Sequence, residues 1–264
     1  MHGVLGAGHN LRSFAKRLTE ARPDYRFALM DLRYHGKSLG APPPHRLDSC
    51  VDDLLEWAMH HQVAPQAVIG HSLGGKVALR YAHRHESSQG LAHFPAPFAS
   101  ALRQVWTLDS DPGAQEPGEN HEVQKVMAAL RAAQGPFPSR ADAIAALVAQ
   151  GRSTGLANWL ATSLDKGPQG FTWRLELEPI AELLQDYFSL DEWPWLETLP
   201  DEGQIRYDLL VAENSDRWSG SMKERAGALT HSPRIRVHLL PDSGHWVHVD
   251  NPDGLLAIVS SQLL

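Results

Sequence analysis

Residues Gln66 to Leu79 read QAVIGHSLGGKVAL, and no other stretch constrains the chain as tightly. Ala67-Val68-Ile69 is a short apolar run of strand character, and the residues after Leu73 repeat at helical spacing. Between them, Gly70-His71-Ser72-Leu73-Gly74 is a G-x-S-x-G pattern. It predicts a sharp strand-to-helix turn with the Ser72 hydroxyl held clear of the sheet edge. Gly70 and Gly74 are needed because side chains two residues either side of Ser72 would collide across so tight a turn. Gly75 lets the following helix pack close to the strand. Leu73, first in that helix, is expected to offer its backbone N–H to an oxyanion, helped by the positive end of the helix dipole.

Composition narrows the function classes. The 264 residues can fill one large core, or one core plus an inserted subdomain. A formal charge of −7 without a Lys/Arg block argues against a nucleic-acid partner or an anionic membrane surface. The single cysteine, Cys50, excludes an internal disulfide and a cysteine-based zinc site, and suits a reducing compartment. No apolar run reaches membrane-spanning length, and no signal-peptide pattern opens the chain. The expectation is a soluble intracellular protein of the cytoplasm or an organelle, to which an upstream targeting peptide would be invisible. The oligomeric state is left open.

Taken in order, the chain opens with Met1-His2-Gly3-Val4 and a glycine turn to Asn10, read as an oxyanion loop with the Val4 N–H as second donor. These glycines are not a dinucleotide fingerprint, since Leu11 stands where the third should be. A helix is expected over Leu11–Ala21, a strand over Tyr25–Met30 and a helix over Leu47–His61. After the Ser72 turn come a loop or helix continuation at Phe94–Ser100 and a strand at Gln104–Leu108 ending in Asp109-Ser110-Asp111-Pro112-Gly113. From there to about Gly203 the segments Glu122–Ala133, Ser139–Gly151, Leu156–Leu164 and Pro179–Tyr187 read as helices, with one strand near Phe171–Leu175. Strands at Arg206–Ala212 and Arg234–Leu240 and a closing helix from Asn251 complete the pattern. Alternating strands and helices imply a mostly parallel α/β sheet with its ligand site at the carboxyl ends of the strands. The organisation expected is a core in two parts, residues 1–112 and 204–264, around a helical cap at 113–203.

A serine hydroxyl needs a general base, usually a histidine oriented by a carboxylate. Among 15 histidines His245 stands out, after Gly244 in a loop between the last strand and the last helix; His248 is the weaker candidate. His60, His61, His83 and His85 lie on expected helices and read as solvated surface. Asp109 and Asp216 each end a strand and either could orient the base. No H-E-x-x-H or comparable metal-ligand set occurs, and no cofactor is implied.

Five segments together resemble the α/β-hydrolases of the branch that contains abhydrolase domain-containing protein 11, its plant and algal members above all. They are His2-Gly3 with the turn to Asn10, Asp31-Leu32-Arg33-Tyr34-His35-Gly36-Lys37-Ser38, Gly70 to Lys76, Leu108 to Gly113, and Gly244-His245-Trp246-Val247-His248-Val249-Asp250-Asn251-Pro252. The resemblance implies the order Ser, Asp, His along the chain and an acid after the strand that follows the elbow helix, which favours Asp109 over Asp216. It also implies a strand between Tyr25–Met30 and Ala67–Ile69 that lies before His2-Gly3 in relatives and is missing here, leaving a gap of unpaired backbone groups. The expected activity is that of a serine esterase or thioesterase acting on a small-molecule acyl ester or thioester: Ser72 attacks, His245 moves the proton, Asp109 orients it, and Val4 and Leu73 bind the oxyanion. A non-catalytic ligand-binding protein and an acyltransferase are the competing readings.

Overall fold

The computed structural model describes residues 1–264 except 88–97 and 117–120. Four parallel strands, β1 (Ala67–His71), β2 (Gln104–Leu108), β5 (Arg206–Ala212) and β6 (Ile235–Leu240), form the central sheet in that spatial order. Their registers are continuous, with His71 opposite Leu108 and Leu108 opposite Leu210. Side chains alternate between two cores, as both faces of a covered parallel sheet require. Val105, Tyr207, Leu209 and Val211 enter the core shared with α2 (Leu47–His60) and α3 (Leu73–Glu86). Trp106, Leu108, Leu210, Ala212 and Leu240 enter the other, with Phe14 and Leu18 of α1 (Arg12–Ala21) and Leu255 and Val259 of α12 (Pro252–Gln262).

Between β2 and β5 the chain runs through α5 (Glu122–Ala132), α6 (Arg140–Ala149), α7 (Thr154–Leu160), the antiparallel hairpin β3–β4 (Leu164–Gly167, Gly170–Trp173), α8 (Leu177–Ser189) and α9 (Trp193–Glu197). Ser139 and Ser153 cap α6 and α7 through their hydroxyls. The short α4 (Phe98–Ala101) precedes β2, α10 (Gly220–Ala228) follows β5, and α11 (Val247–Asp250) precedes α12.

Three expectations need revision. Tyr25–Met30 carries no strand, because the backbone beside it offers no ladder partner. A groove of about 280 Å³, lined by Phe27, Leu29 and Met30 on one side and Val68 and Ile69 on the other, separates it from β1. Among the described residues only Met1 hydrogen-bonds to the free edge of β1: its amine donates to the Ile69 carbonyl at 2.6 Å, and the His71 amide donates to the Met1 carbonyl at 3.0 Å. Second, the expected strand near Phe171 is one arm of a hairpin whose other arm, β3, starts at Leu164, the last residue of an expected helix, and runs on through residues for which no element was expected. Third, His83 and His85 are not solvated surface. His83 bonds Glu192 at 2.5 Å and stacks on Trp195, because residues 192–195 fold back over α3, and His85 is buried. The expectation at Phe94–Ser100 falls largely outside the described residues.

Candidate active site

The turn at Ser72 is strained as its sequence demands: Ser72 has φ 52° and ψ −118°, in a region that side chains rarely occupy. A side chain at Gly70 would overlap the Gly74 carbonyl, so the turn closes only with glycine there. The Ser72 backbone is anchored by its amide on the Leu108 carbonyl at 3.1 Å and by the Ser110 hydroxyl donating to its carbonyl at 2.7 Å. Its side chain stays partly exposed and, among the described residues, has no hydrogen-bond partner.

Asp109 ends β2 fully buried and with positive φ (47°). Its Oδ2 accepts from His245 Nδ1 at 2.7 Å and from the Ser215 hydroxyl at 2.6 Å, and its Oδ1 accepts from the Ala212 amide at 3.0 Å. Three donors fix the carboxylate, and Nδ1–H on His245 leaves Nε2 as the free lone-pair nitrogen. Asp216 lies elsewhere: its side chain is 79 % exposed and faces Arg217 Nε at 3.3 Å. His248 is held beneath the site against the His71 ring, and burial drops its pKa to about 4.

Ser72, Asp109, His245, Val4 and Leu73 line one cavity of about 550 Å³, in the range of small-molecule pockets. Its apolar wall comes from Val126, Leu156, Trp159, Leu184 and Phe188 of α5, α7 and α8. Gly3 packs so closely on the turn that a Cβ there would lie 3.2 Å from Ser72 Cβ, which places the Val4 backbone beside the serine.

Sequence reasoning gave no role to the side chains that hold these parts, although most of them lie in the segments that carry the resemblance. His2 and His35 stitch the first loop to the Asp31–Ser38 segment: His2 Nε2 accepts from the Leu32 amide at 2.9 Å and His35 Nε2 from the Leu5 amide at 3.0 Å. Each must be neutral at that nitrogen, and burial pulls His35 down to about 4 and His2 well below its usual value. His71 donates from Nε2 to the His245 carbonyl at 2.7 Å. Lys76 is fully buried, its ammonium donating to the carbonyls of Gly113, Tyr187 and Leu190 at 2.7, 2.7 and 2.9 Å, which ties the end of α8 to the loop after β2; burial lowers its pKa to about 8. Ser215 carried one local signal, its place between Asn214 and Asp216 at the end of a strand.

Among the described residues no group of three or more His, Cys, Asp or Glu side chains is placed to hold a metal ion, and no helix is long and apolar enough to cross a membrane.

The sequence matches the alpha/beta hydrolase family over residues 1–258. The chain belongs to that family. Within it, the chain resembles the sn-1-specific diacylglycerol lipase ABHD11 of Mus musculus, 25% identical over 272 residues that span 100% of this chain and 79% of the relative. The esterase YbfF of Escherichia coli (strain K12) is 24% identical over 263 residues, covering 100% of this chain and 91% of its own. Among solved structures, a marine microorganism esterase superposes with a TM-score of 0.80 at 22% identity, covering 100% of this hydrolase-family chain and 93% of that one. The last likeness speaks for the fold, and the two sequence relatives for the branch expected from the five segments.

Proposed function

We propose that this alpha/beta hydrolase is a serine hydrolase that cleaves carboxylic ester or thioester bonds through an acyl-enzyme. The observation that carries the reading is the pairing of a strained, unpartnered Ser72 with a carboxylate-anchored His245 on one cavity. Ser72 Oγ attacks the acyl carbon while His245 Nε2 takes its proton. Asp109 holds the ring in the tautomer that leaves Nε2 free and stabilises the imidazolium. The tetrahedral oxyanion is held by the N–H groups of Val4 and Leu73. Collapse breaks the bond to the alcohol or thiol, which leaves with the proton from His245. Water, deprotonated by His245, then attacks the acyl-serine and releases the carboxylic acid.

The absence of a Ser72–His245 hydrogen bond accords with this role, since such bonds often tighten only when substrate is bound. Residues 113–203 act as a cap that supplies the apolar acyl wall and keeps bulk water from the intermediate. That the named relatives in mouse and Escherichia coli are a lipase and an esterase supports ester cleavage. The test is turnover of 4-nitrophenyl butyrate by the wild type beside Ser72→Ala. Hydrolysis that disappears with the hydroxyl upholds the reading, and a folded wild type without turnover of this ester or its thioester analogue overturns it.

A further inference from the structure

The cavity that holds Ser72 is apolar along α5, α7 and α8 but has one cationic corner, where Arg217 meets His121. Arg217 Nη1 lies 3.3 Å from His121 Nε2. A neutral imidazole accepts at one nitrogen only. The ring thus has one lone pair for two donors, the Val123 amide 3.4 Å from Nδ1 and Arg217 Nη1 3.3 Å from Nε2, so it holds the guanidinium weakly at most. Burial and the neighbouring Arg217 both hold His121 in its neutral form. Arg217 Nε is buried and has no hydrogen-bond partner among the described residues, so the guanidinium brings an unsatisfied cationic donor to the cavity, as an anion site requires.

Among the described residues, the carboxylates that also border the cavity do not pair with the guanidinium. Asp109 is taken by His245, Ser215 and the Ala212 amide; Asp111 by the Gly113 amide and the Gln115 amide group. Glu122 pairs with Arg152 at 2.9 Å, and Asp250 accepts from the Gly244 amide. Asp216 faces Arg217 from the solvent side, and so exposed a pair holds the guanidinium weakly. Arg217 is also fixed relative to the catalytic groups. Its amide donates to Ser215 Oγ at 3.2 Å, and that hydroxyl in turn donates to Asp109.

We propose that Arg217, with His121 beside it, is a specificity-determining residue that binds a carboxylate carried by the substrate at a distance from the scissile bond. A monoanion fits better than a phosphate dianion, because the four carboxylates around the cavity repel a second charge. The inference rests on the hydrolase reading and deepens it: the substrate is a half-ester or half-thioester of a dicarboxylic acid, or an ester whose leaving group bears a carboxylate.

The experiment compares two matched pairs, 4-nitrophenyl hexanoate against mono-4-nitrophenyl adipate, and phenyl butyrate against 4-carboxyphenyl butyrate. Wild type, Arg217→Gln and Arg217→Lys are assayed on all four. In at least one pair, Arg217→Gln should lower kcat/KM for the anionic member by about 10- to 100-fold, the effect of losing a charge-assisted hydrogen bond, and change the neutral member by less than about 3-fold. Arg217→Lys should retain a preference between the two. Equal effects of Arg217→Gln on both members of both pairs overturn the anion site while leaving the hydrolase reading intact, with the neutral ester reporting that the variant is folded. A wild type that turns over none of the four overturns both.

Discussion

His71 Nε2 donates to the backbone carbonyl of His245 at 2.7 Å, so the residue before Ser72 holds the loop that carries the imidazole. The two rings lie 4.8 Å apart, and His71 is buried and kept neutral by that burial. One hydrogen bond therefore couples the position of Ser72, through β1, to the position of His245. His71→Ala should lower kcat by about 10-fold with little change in KM, because a misaligned base acts on the transition state more than on binding. It should also cost about 1–3 kcal/mol of stability by leaving a carbonyl unpaired. Steady-state kinetics and urea unfolding of the same preparation check both; a KM effect with unchanged kcat would contradict the coupling.

The second prediction separates two aspartates. Asp109 bonds His245, whereas Asp216 is exposed beside Arg217. Asp109→Asn removes the charge that orients and stabilises the imidazolium and should reduce kcat by about 10³- to 10⁴-fold. Asp216→Asn should stay within about 3-fold of wild type on a neutral ester. Parallel assays on 4-nitrophenyl butyrate decide; a reversed ranking would move the acid to Asp216.

Much of this arrangement was legible in the sequence, for local reasons. The elbow, the strands Gln104–Leu108 and Arg206–Ala212, and the helix Leu47–His60 each announce themselves by an apolar run or a helical spacing closed by turn residues. What was not legible depends on distant partners. Tyr25–Met30 has strand composition, but a strand exists only where a neighbour completes its ladder. The β3 arm, Leu164-Asp165-Lys166-Gly167, has no alternation of its own and is a strand only because Gly170–Trp173 folds back on it. His83 looks like helix surface until residues more than a hundred positions later cover it. At the candidate site, spacing pointed to Ser72 and His245, but the Ser215 hydroxyl and the His71 donor are fixed by register between strands.

A third prediction concerns pH. His35 is fully buried and accepts the Leu5 amide, and its pKa falls from 6.5 to about 4; His2 shifts in the same direction. Between those values the unfolded chain takes up protons that the folded protein refuses. Stability is therefore fully present above about pH 6.5 and is lost as pH falls toward 4, at about 1.4 kcal/mol per pH unit for each such histidine. Urea midpoints measured from pH 7.5 to 4.5 should drop accordingly. His35→Gln, which lowers stability at pH 7.5, should flatten the slope; an unchanged slope would contradict the assignment.

The central claim is that Ser72 becomes acylated, and covalent trapping tests it most directly. Wild type and Ser72→Ala are incubated with a fluorophosphonate and examined by intact-mass and peptide mass spectrometry. The account predicts one adduct per chain, located on Ser72, formed in step with loss of ester turnover, and absent from Ser72→Ala. A folded wild type that remains unmodified, or one whose adduct lies elsewhere and persists in Ser72→Ala, would contradict it.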